Sequence, residues 1–313
     1  MNIGLIDVDS HNFPNLALMK ISSYHKELGD SVEWYNTLIA LSNPYDIVYM
    51  SKVFTNLYTL DYQYPVYADK VIKGGYGYDN YEKPFKNYET IFPDYSIYYD
   101  LYPKFKHTAF GYLTRGCPRN CSFCMVGKYE GKKTRQVANI ENFYDPKIHK
   151  EIRLLDPNIL AHKDLSILKQ LKESDAYIHF TGGVDIRFLT KEQANIINNM
   201  KVKMLHFAWD NDDNFKTENI IKDKRAWIKY SRSKVMFYVL VNYDTDWEFD
   251  LYRVKKLKEL DCDPYIMIYN KPKCDKKYNH LQRFVNNKFV FWSKQTVEDY
   301  LQKKGYLNKE ERR

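Results

Sequence analysis

His107-Thr108-Ala109-Phe110-Gly111-Tyr112-Leu113 runs directly into Thr114-Arg115-Gly116-Cys117-Pro118-Arg119-Asn120-Cys121-Ser122-Phe123-Cys124. The first seven residues read as a β-strand, and the strand ends in a loop bearing three cysteines with the spacing C-x3-C-x2-C. Three thiolates on one short loop do not complete a structural zinc site, which takes four protein ligands. They suit three irons of a 4Fe–4S cluster with the fourth iron left open, because thiolates are the usual ligands of such clusters. The alternative is a zinc knuckle whose fourth ligand comes from elsewhere, with His107, Cys262 and Cys274 as the candidates. Structural zinc ligands usually come as two close pairs, and Cys262 and Cys274 have no partner at that spacing.

The rhythm continues downstream. Ile152-Arg153-Leu154-Leu155 reads as a strand, followed by a helix with Leu165, Leu168 and Leu171 at three-residue spacing. Tyr177-Ile178-His179-Phe180 is a strand closed by Gly182-Gly183, and Thr190 with Gln193 forms a capping box for the helix of Ala194, Ile197 and Met200. Met204 to Trp209 is a strand, with a helix around residues 217–230 after it, and Val235 to Val241 is another strand. Thr245 and Glu248 predict a second capping box, for the helix of Leu251, Val254 and Leu257; Tyr265 to Tyr269 is the last strand. Six strands separated by helices predict a parallel α/β sheet, closing as a partial (β/α)6 barrel over residues 107–275. The cysteine loop then lies at the C-terminal end of a barrel strand, the end where barrel enzymes keep their chemistry. Residues 276–313 read as a basic helical extension.

Upstream, residues 1–80 alternate on a smaller scale, with strands at 2–8, 32–35, 47–50 and 70–73 and a helix from Pro14 to Leu28 that Gly29 stops. They predict a small Rossmann-like unit. Residues 81–106 carry Pro84, Pro93, Pro103 and many tyrosines, and read as a linker that wraps the surface and covers something.

The chain has 313 residues, enough for two such units, and 44% of them are hydrophobic, enough for a core. No apolar run approaches the roughly 18 residues of a membrane span, and no basic stretch leads into an apolar segment at the start. With five cysteines, an odd number, the expectation is a cytoplasmic protein without a disulfide framework or membrane partner. The net charge of +8 permits an anionic partner without demanding one. Lys128, Lys132, Lys133 and Arg135 follow the cysteines, Lys303, Lys304, Lys309, Arg312 and Arg313 lie in the tail, and Tyr95, Tyr98, Tyr99 and Tyr102 crowd one segment. These features support a competing reading, a nucleic-acid-binding module with a structural metal, in which tyrosines stack on bases. Solvated loops and an amphipathic lid over a core account for the same residues.

The cysteine spacing, with aromatic Phe123 before the last cysteine, resembles the defining motif of the radical S-adenosylmethionine (SAM) superfamily. The resemblance implies that Cys117, Cys121 and Cys124 hold a 4Fe–4S cluster whose open iron binds the amino and carboxylate groups of SAM. It implies reductive cleavage of SAM to a 5′-deoxyadenosyl radical, hydrogen abstraction from an unnamed substrate, and an electron donor such as flavodoxin or ferredoxin. Phe123 inherits packing near the adenine. The family's Gly-Gly-Glu motif is absent; Asp156-Pro157-Asn158 stands there, similar to an acidic variant found with cobalamin-type N-terminal domains. Asp156 or Asn158 then accepts a hydrogen bond from the SAM amino group, although the tripeptide also suits a turn or cap. Arg187 is placed either to hold the SAM carboxylate in bidentate fashion or to pair with Asp185. Asp210 ends the fourth strand, where the family keeps a polar SAM contact, and Asn242 and Asn270 end the fifth and sixth, facing the adenosine.

Residues 1–80 resemble a shortened cobalamin-binding domain. Asp9-Ser10-His11-Asn12-Phe13 suggests a cobalt-ligating His11, but the ligating motif is Asp-x-His-x-x-Gly and Pro14 takes the glycine position. The expectation is a degenerate domain that binds substrate or packs, with cobalamin-dependent methyl transfer as the variant reading. The runs Ile6–Asn15 and Leu113–Arg119 also look like a compact group of bacterial and phage radical SAM proteins with no assigned substrate.

Overall fold

The computed structural model describes residues 1–10, 12–210 and 216–306; His11, Lys309, Arg312 and Arg313 lie outside the described residues. The first sheet is built from β1 (Asn2–Asp7), β2 (Ser31–Trp34), β3 (Tyr45–Ser51) and β4 (Ala68–Gly74), all parallel, in the order β2-β1-β3-β4. Helix α1 (Leu16–Glu27) starts where the Asn15 side chain accepts from the N–H groups of Ala17 (3.0 Å) and Leu18 (3.3 Å), and its last turn carries His25 and Lys26, which complement the helix dipole. α2 (Thr37–Ser42) joins β2 to β3. The β3–β4 crossover departs from strict alternation: residues 52–67 cross as turns, and Phe54, Leu57, Leu60 and Tyr64 stay exposed where a helix would have covered them.

The second sheet has six parallel strands. After β5 (Thr108–Gly111), the short strands β6 (Thr114–Arg115) and β7 (Arg135–Gln136) pair antiparallel, with α3 (Val126–Tyr129) between them. Then come β8 (Glu151–Leu154), α4 (Ser166–Glu173), β9 (Tyr177–Val184), α5 (Lys191–Asn198), β10 (Lys201–Ala208), α6 (Lys216–Arg225), β11 (Val235–Val241), α7 (Trp247–Glu259) and β12 (Asp263–Ile268). Their order is β12-β11-β10-β9-β8-β5, so each strand lies beside its predecessor. The chain is therefore an α/β protein with two parallel sheets. Alternation along the strands decides the faces. Ile178, Phe180, Leu205, Phe207, Phe237 and Val239 are buried in one cluster with Leu168 of α4, Ile197 of α5 and Val254 of α7. The other face carries His179, His206 and Tyr238, and leaves Tyr265, Met267 and Tyr269 exposed, which is unusual for a parallel sheet.

Three local expectations are revised. β9 runs through Gly182-Gly183 to Val184 instead of stopping there. α6 ends at Arg225, short of residue 230. α7 is capped by Asp246, whose carboxylate accepts from Phe249 N–H at 2.7 Å; the Thr245 hydroxyl is turned to Asp250 instead. The Thr190–Gln193 capping box forms as read.

Both edges of the larger sheet are satisfied by side chains. At β5 the Tyr95 hydroxyl accepts from Phe110 N–H (3.0 Å) and donates to Phe143 C=O (2.7 Å). At β12, Asn286 of α8 (Lys276–Asn286) accepts from Ile266 N–H (2.8 Å), and Gln282 donates to Ile266 C=O (3.0 Å). Such contacts occupy backbone groups on both edge strands that would otherwise be open to pairing with another chain. Tyr95 and Tyr98 are thus buried structural residues, with the Tyr98 hydroxyl on Asp7, and neither offers a ring for base stacking. Leu16 and Met19 of α1 share one buried cluster with these tyrosines and the six-stranded sheet, so the two sheets meet across a common core. Among the described residues no helix is long and apolar enough to cross a membrane.

His149 is buried between Phe92 and Tyr95, and its Nδ1 accepts from Asp145 N–H at 3.0 Å. Burial pulls its pKa from 6.5 to about 4. The unfolded imidazole therefore protonates first, so this stability is present above about pH 6.5 and is lost as pH falls toward 4. We predict that His149→Gln shows a shallower loss of urea midpoint between pH 7 and pH 5 than the wild type. Equal slopes would contradict this.

Candidate functional site

The cysteine loop is anchored at its start by two buried carboxylates. Asp156, just past β8, accepts from Leu113 N–H (3.1 Å), Thr114 N–H (2.5 Å) and the Thr114 hydroxyl (2.6 Å). Glu130, just past α3, accepts from Gly116 N–H (3.1 Å), Arg115 (2.8 Å), and the hydroxyls of Tyr76 (3.1 Å) and Tyr81 (2.9 Å). Gly116 has φ +81°, and a Cβ there would stand 2.2 Å from Lys133 C=O, so only glycine lets the loop leave β6 this way. Gly182 is needed for a similar reason: a Cβ would meet Asp156 C=O at 2.1 Å.

Cys117, Cys121 and Cys124 are free thiols, each partly exposed. Burial raises the pKa of Cys121 and Cys124, and the neighbouring thiols push in the same direction. Asn158 sits beside them: its Nδ2 lies 3.7 Å from Cys117 Sγ, while its Oδ1 accepts from Asp185 N–H at 3.2 Å. Asp185 lies between two guanidinium groups, Arg187 Nε at 2.7 Å and Arg119 Nε of the cysteine loop at 3.1 Å. The second pair has ion-pair distance but not hydrogen-bond alignment. Arg187 also reaches Thr217 Oγ1 at 3.3 Å.

Asp210, half-buried after β10, accepts from Leu240 N–H at 3.1 Å. Burial raises its pKa to about 6, and its charge acts on Cys121 and Cys124. The Phe123 ring meets Tyr243 edge-on at 5.3 Å, and the Tyr243 hydroxyl donates to Ser122 Oγ at 2.8 Å. Tyr243 in turn meets Tyr269 edge-on at 4.6 Å. Asn242 donates to Tyr269 C=O at 3.0 Å and so holds this aromatic wall. Asn270 follows Tyr269, and its buried Oδ1 has no hydrogen-bond partner among the described residues.

Of the sequence candidates, Asn158, Arg187, Asp210, Phe123 and the three cysteines form one neighbourhood. Asp156 and Asn242 are different: their side chains hold backbone groups. The Arg187–Asp185 pair offered by the sequence forms; Arg119, Tyr243 and Glu130 were missed. Tyr243 has a legible signal, being one residue beyond a strand-end asparagine; Glu130 has none, since its partners come from three separate segments. The proposed zinc ligands stand apart. His107 and Cys262 immediately precede β5 and β12, at the N-terminal ends of parallel strands whose C-terminal ends face the cysteine loop, and Cys274 takes a contact from Asn279.

Among the described residues no three His, Cys, Asp or Glu side chains converge as a ready-made metal cage. The donor set itself fits an iron–sulfur cluster: three part-buried thiols on one loop, with an amide donor directed at one sulfur. No protein-family model matches the chain, and no curated protein matches it. Fold and site define an α/β protein that presents three thiols at the C-terminal edge of a six-stranded parallel sheet.

Asp156→Ala would strand two N–H groups and a hydroxyl in the interior. We expect a loss of roughly 3 kcal/mol in urea unfolding, from about three bonds to a charged acceptor with partial recovery, and faster alkylation of the three cysteines. Asp156→Asn, which keeps an acceptor, should lose less. Wild-type stability in Asp156→Ala would contradict the anchoring role.

Proposed function

We propose that this chain is a radical SAM enzyme, and that its six-stranded sheet is the partial barrel of that superfamily. The observation that supports this most is the position of the C-x3-C-x2-C loop, directly after the first strand of a consecutively ordered six-stranded parallel sheet. Cys117, Cys121 and Cys124 would hold a 4Fe–4S cluster. When bound, it supplies the one electron, received from a flavodoxin- or ferredoxin-type donor, that cleaves a carbon–sulfur bond of SAM to give methionine and a 5′-deoxyadenosyl radical able to abstract hydrogen from substrate.

The chain's own residues would do the rest. The Asn158 amide donates toward the Cys117 sulfur and steadies it. Asp210 and Asn270 Oδ1, which has no hydrogen-bond partner among the described residues, offer acceptors for the SAM ammonium, and Arg187 with Arg119 supplies cationic partners for its carboxylate. Phe123 and Tyr243 provide an aromatic wall for the adenine. His179, His206 and Tyr238 stack across three strands on the same sheet face, beside the exposed Tyr265, Met267 and Tyr269, and this face is where a substrate would approach.

Anaerobic protein reconstituted with iron and sulfide, then given SAM and dithionite, should release 5′-deoxyadenosine. The Cys117→Ala/Cys121→Ala/Cys124→Ala triple variant should release none. A colourless zinc protein that forms no deoxyadenosine would refute the proposal and favour the nucleic-acid-binding module.

A further inference from the structure

A sizeable cavity lies outside the cysteine loop. A space of about 580 Å³ opens between the C-terminal edge of the four-stranded sheet, the start of α1 and the end of β5. In the order β2-β1-β3-β4 the chain runs outward in one direction from β1 and in the other from β3. The cavity is walled by Ser10, which follows β1, by Ser51 of β3 and by Gly74 of β4. It thus occupies the crevice beyond the strand ends at the switch point, where open parallel sheets bind small molecules. Its volume falls within the roughly 300–1,000 Å³ of small-molecule sites.

The walls specify the ligand. One side is aliphatic, from Leu16, Leu18, Ile21, Met50 and Ile72. The other is aromatic, including Tyr76 and Tyr81 stacked face to face at 4.6 Å. The polar groups between them are already engaged: Asn15 Nδ2 donates to Ser10 Oγ and Ser51 Oγ, and the Tyr76 and Tyr81 hydroxyls go to Glu130. Water inside would find few partners, so a flat apolar body is favoured. At the rim stand Lys70, which has no ion-pair partner among the described residues, and Lys73, which is paired with Asp61. The lining carries four cationic side chains, Lys70, Lys73, Lys83 and Arg115, against one carboxylate, Glu82, and this balance favours an anionic group on the ligand.

We propose that this cavity binds a small organic anion with a flat, apolar body, and that its occupant steadies the cysteine loop. The coupling is direct. Tyr81 and Arg115 line the cavity, Arg115 donates to Tyr81 Oη (2.7 Å) and to Glu130 (2.8 Å), and Glu130 accepts from Gly116 N–H beside Cys117.

The probe is 8-anilino-1-naphthalenesulfonate, an aromatic sulfonate, titrated into native metal-free protein; neither iron nor SAM is needed, so the outcome is independent of the radical SAM proposal. One saturable site with enhanced fluorescence is expected. Gly74 lines the cavity, and a Cβ there meets nothing within 4 Å, so Gly74→Phe fills the space without a clash at the branch point and should abolish binding. Ala17→Phe should do the same, and exposed Lys70→Glu, which spares the fold, should weaken binding several-fold. The bound probe should slow alkylation of the cysteines by iodoacetamide several-fold. Absence of saturable binding, or wild-type binding by Lys70→Glu and by folded filling variants, would overturn the site. Unchanged alkylation under saturating probe would overturn the coupling.

Discussion

The Asp156 carboxylate, buried at the end of β8, holds the turn in which β5 gives way to the cysteine loop. Its three donors all belong to Leu113 and Thr114, so it fixes the direction in which the chain leaves the sheet. The arrangement has a cost: burial lifts the Asp156 pKa to about 6, so keeping the charge is unfavourable and the donors offset only part of it. Between its ordinary value and pH 6 this group destabilises the fold as pH rises, opposite in sign to His149. The neighbouring Asn158 follows from the same turn, because Pro157 separates the anchoring carboxylate from the amide that reaches Cys117.

A loop held this way is only as rigid as its sheet. The larger sheet is open, and open parallel sheets need their edges covered. Tyr95 does this at β5 and Asn286 with Gln282 at β12, so the linker and the C-terminal helix act as edge clamps. The same linker ties the smaller sheet in through Tyr98 on Asp7 and Lys20 on the carbonyls of Tyr88 and Glu89. The N-terminal unit is therefore mechanically part of the scaffold that carries the cysteines.

Much of this was legible from hydrophobic runs. The ten long strands, the cysteine loop between β5 and β8, and the Thr190 capping box follow from alternation, spacing and local cap chemistry. What stayed hidden depends on long-range contacts. Gly182-Gly183 reads as a strand end, yet β9 continues because the glycines let it pass close to the Asp156 backbone and Tyr238. Thr245 reads as a cap, yet adjacent Asp246 competes for the same N–H groups and wins. The linker tyrosines promised a lid, but Tyr95 acting on strand backbone depends on an edge that sequence does not reveal. At the site, the family resemblance and strand-end position together brought up Asn158, Arg187 and Asp210, which gather near the cysteines, while Asp156 and Asn242 show that the same reasoning also collects residues that hold the scaffold.

The central claim is that the three cysteines hold a cluster with one open iron that binds SAM. Low-temperature electron paramagnetic resonance of the reconstituted, dithionite-reduced protein tests it directly. A reduced 4Fe–4S signal that changes shape on addition of SAM, and is absent from the triple cysteine variant, is the expected result. A protein whose cysteines retain zinc and show no such signal, or whose cluster signal is indifferent to SAM, would contradict it.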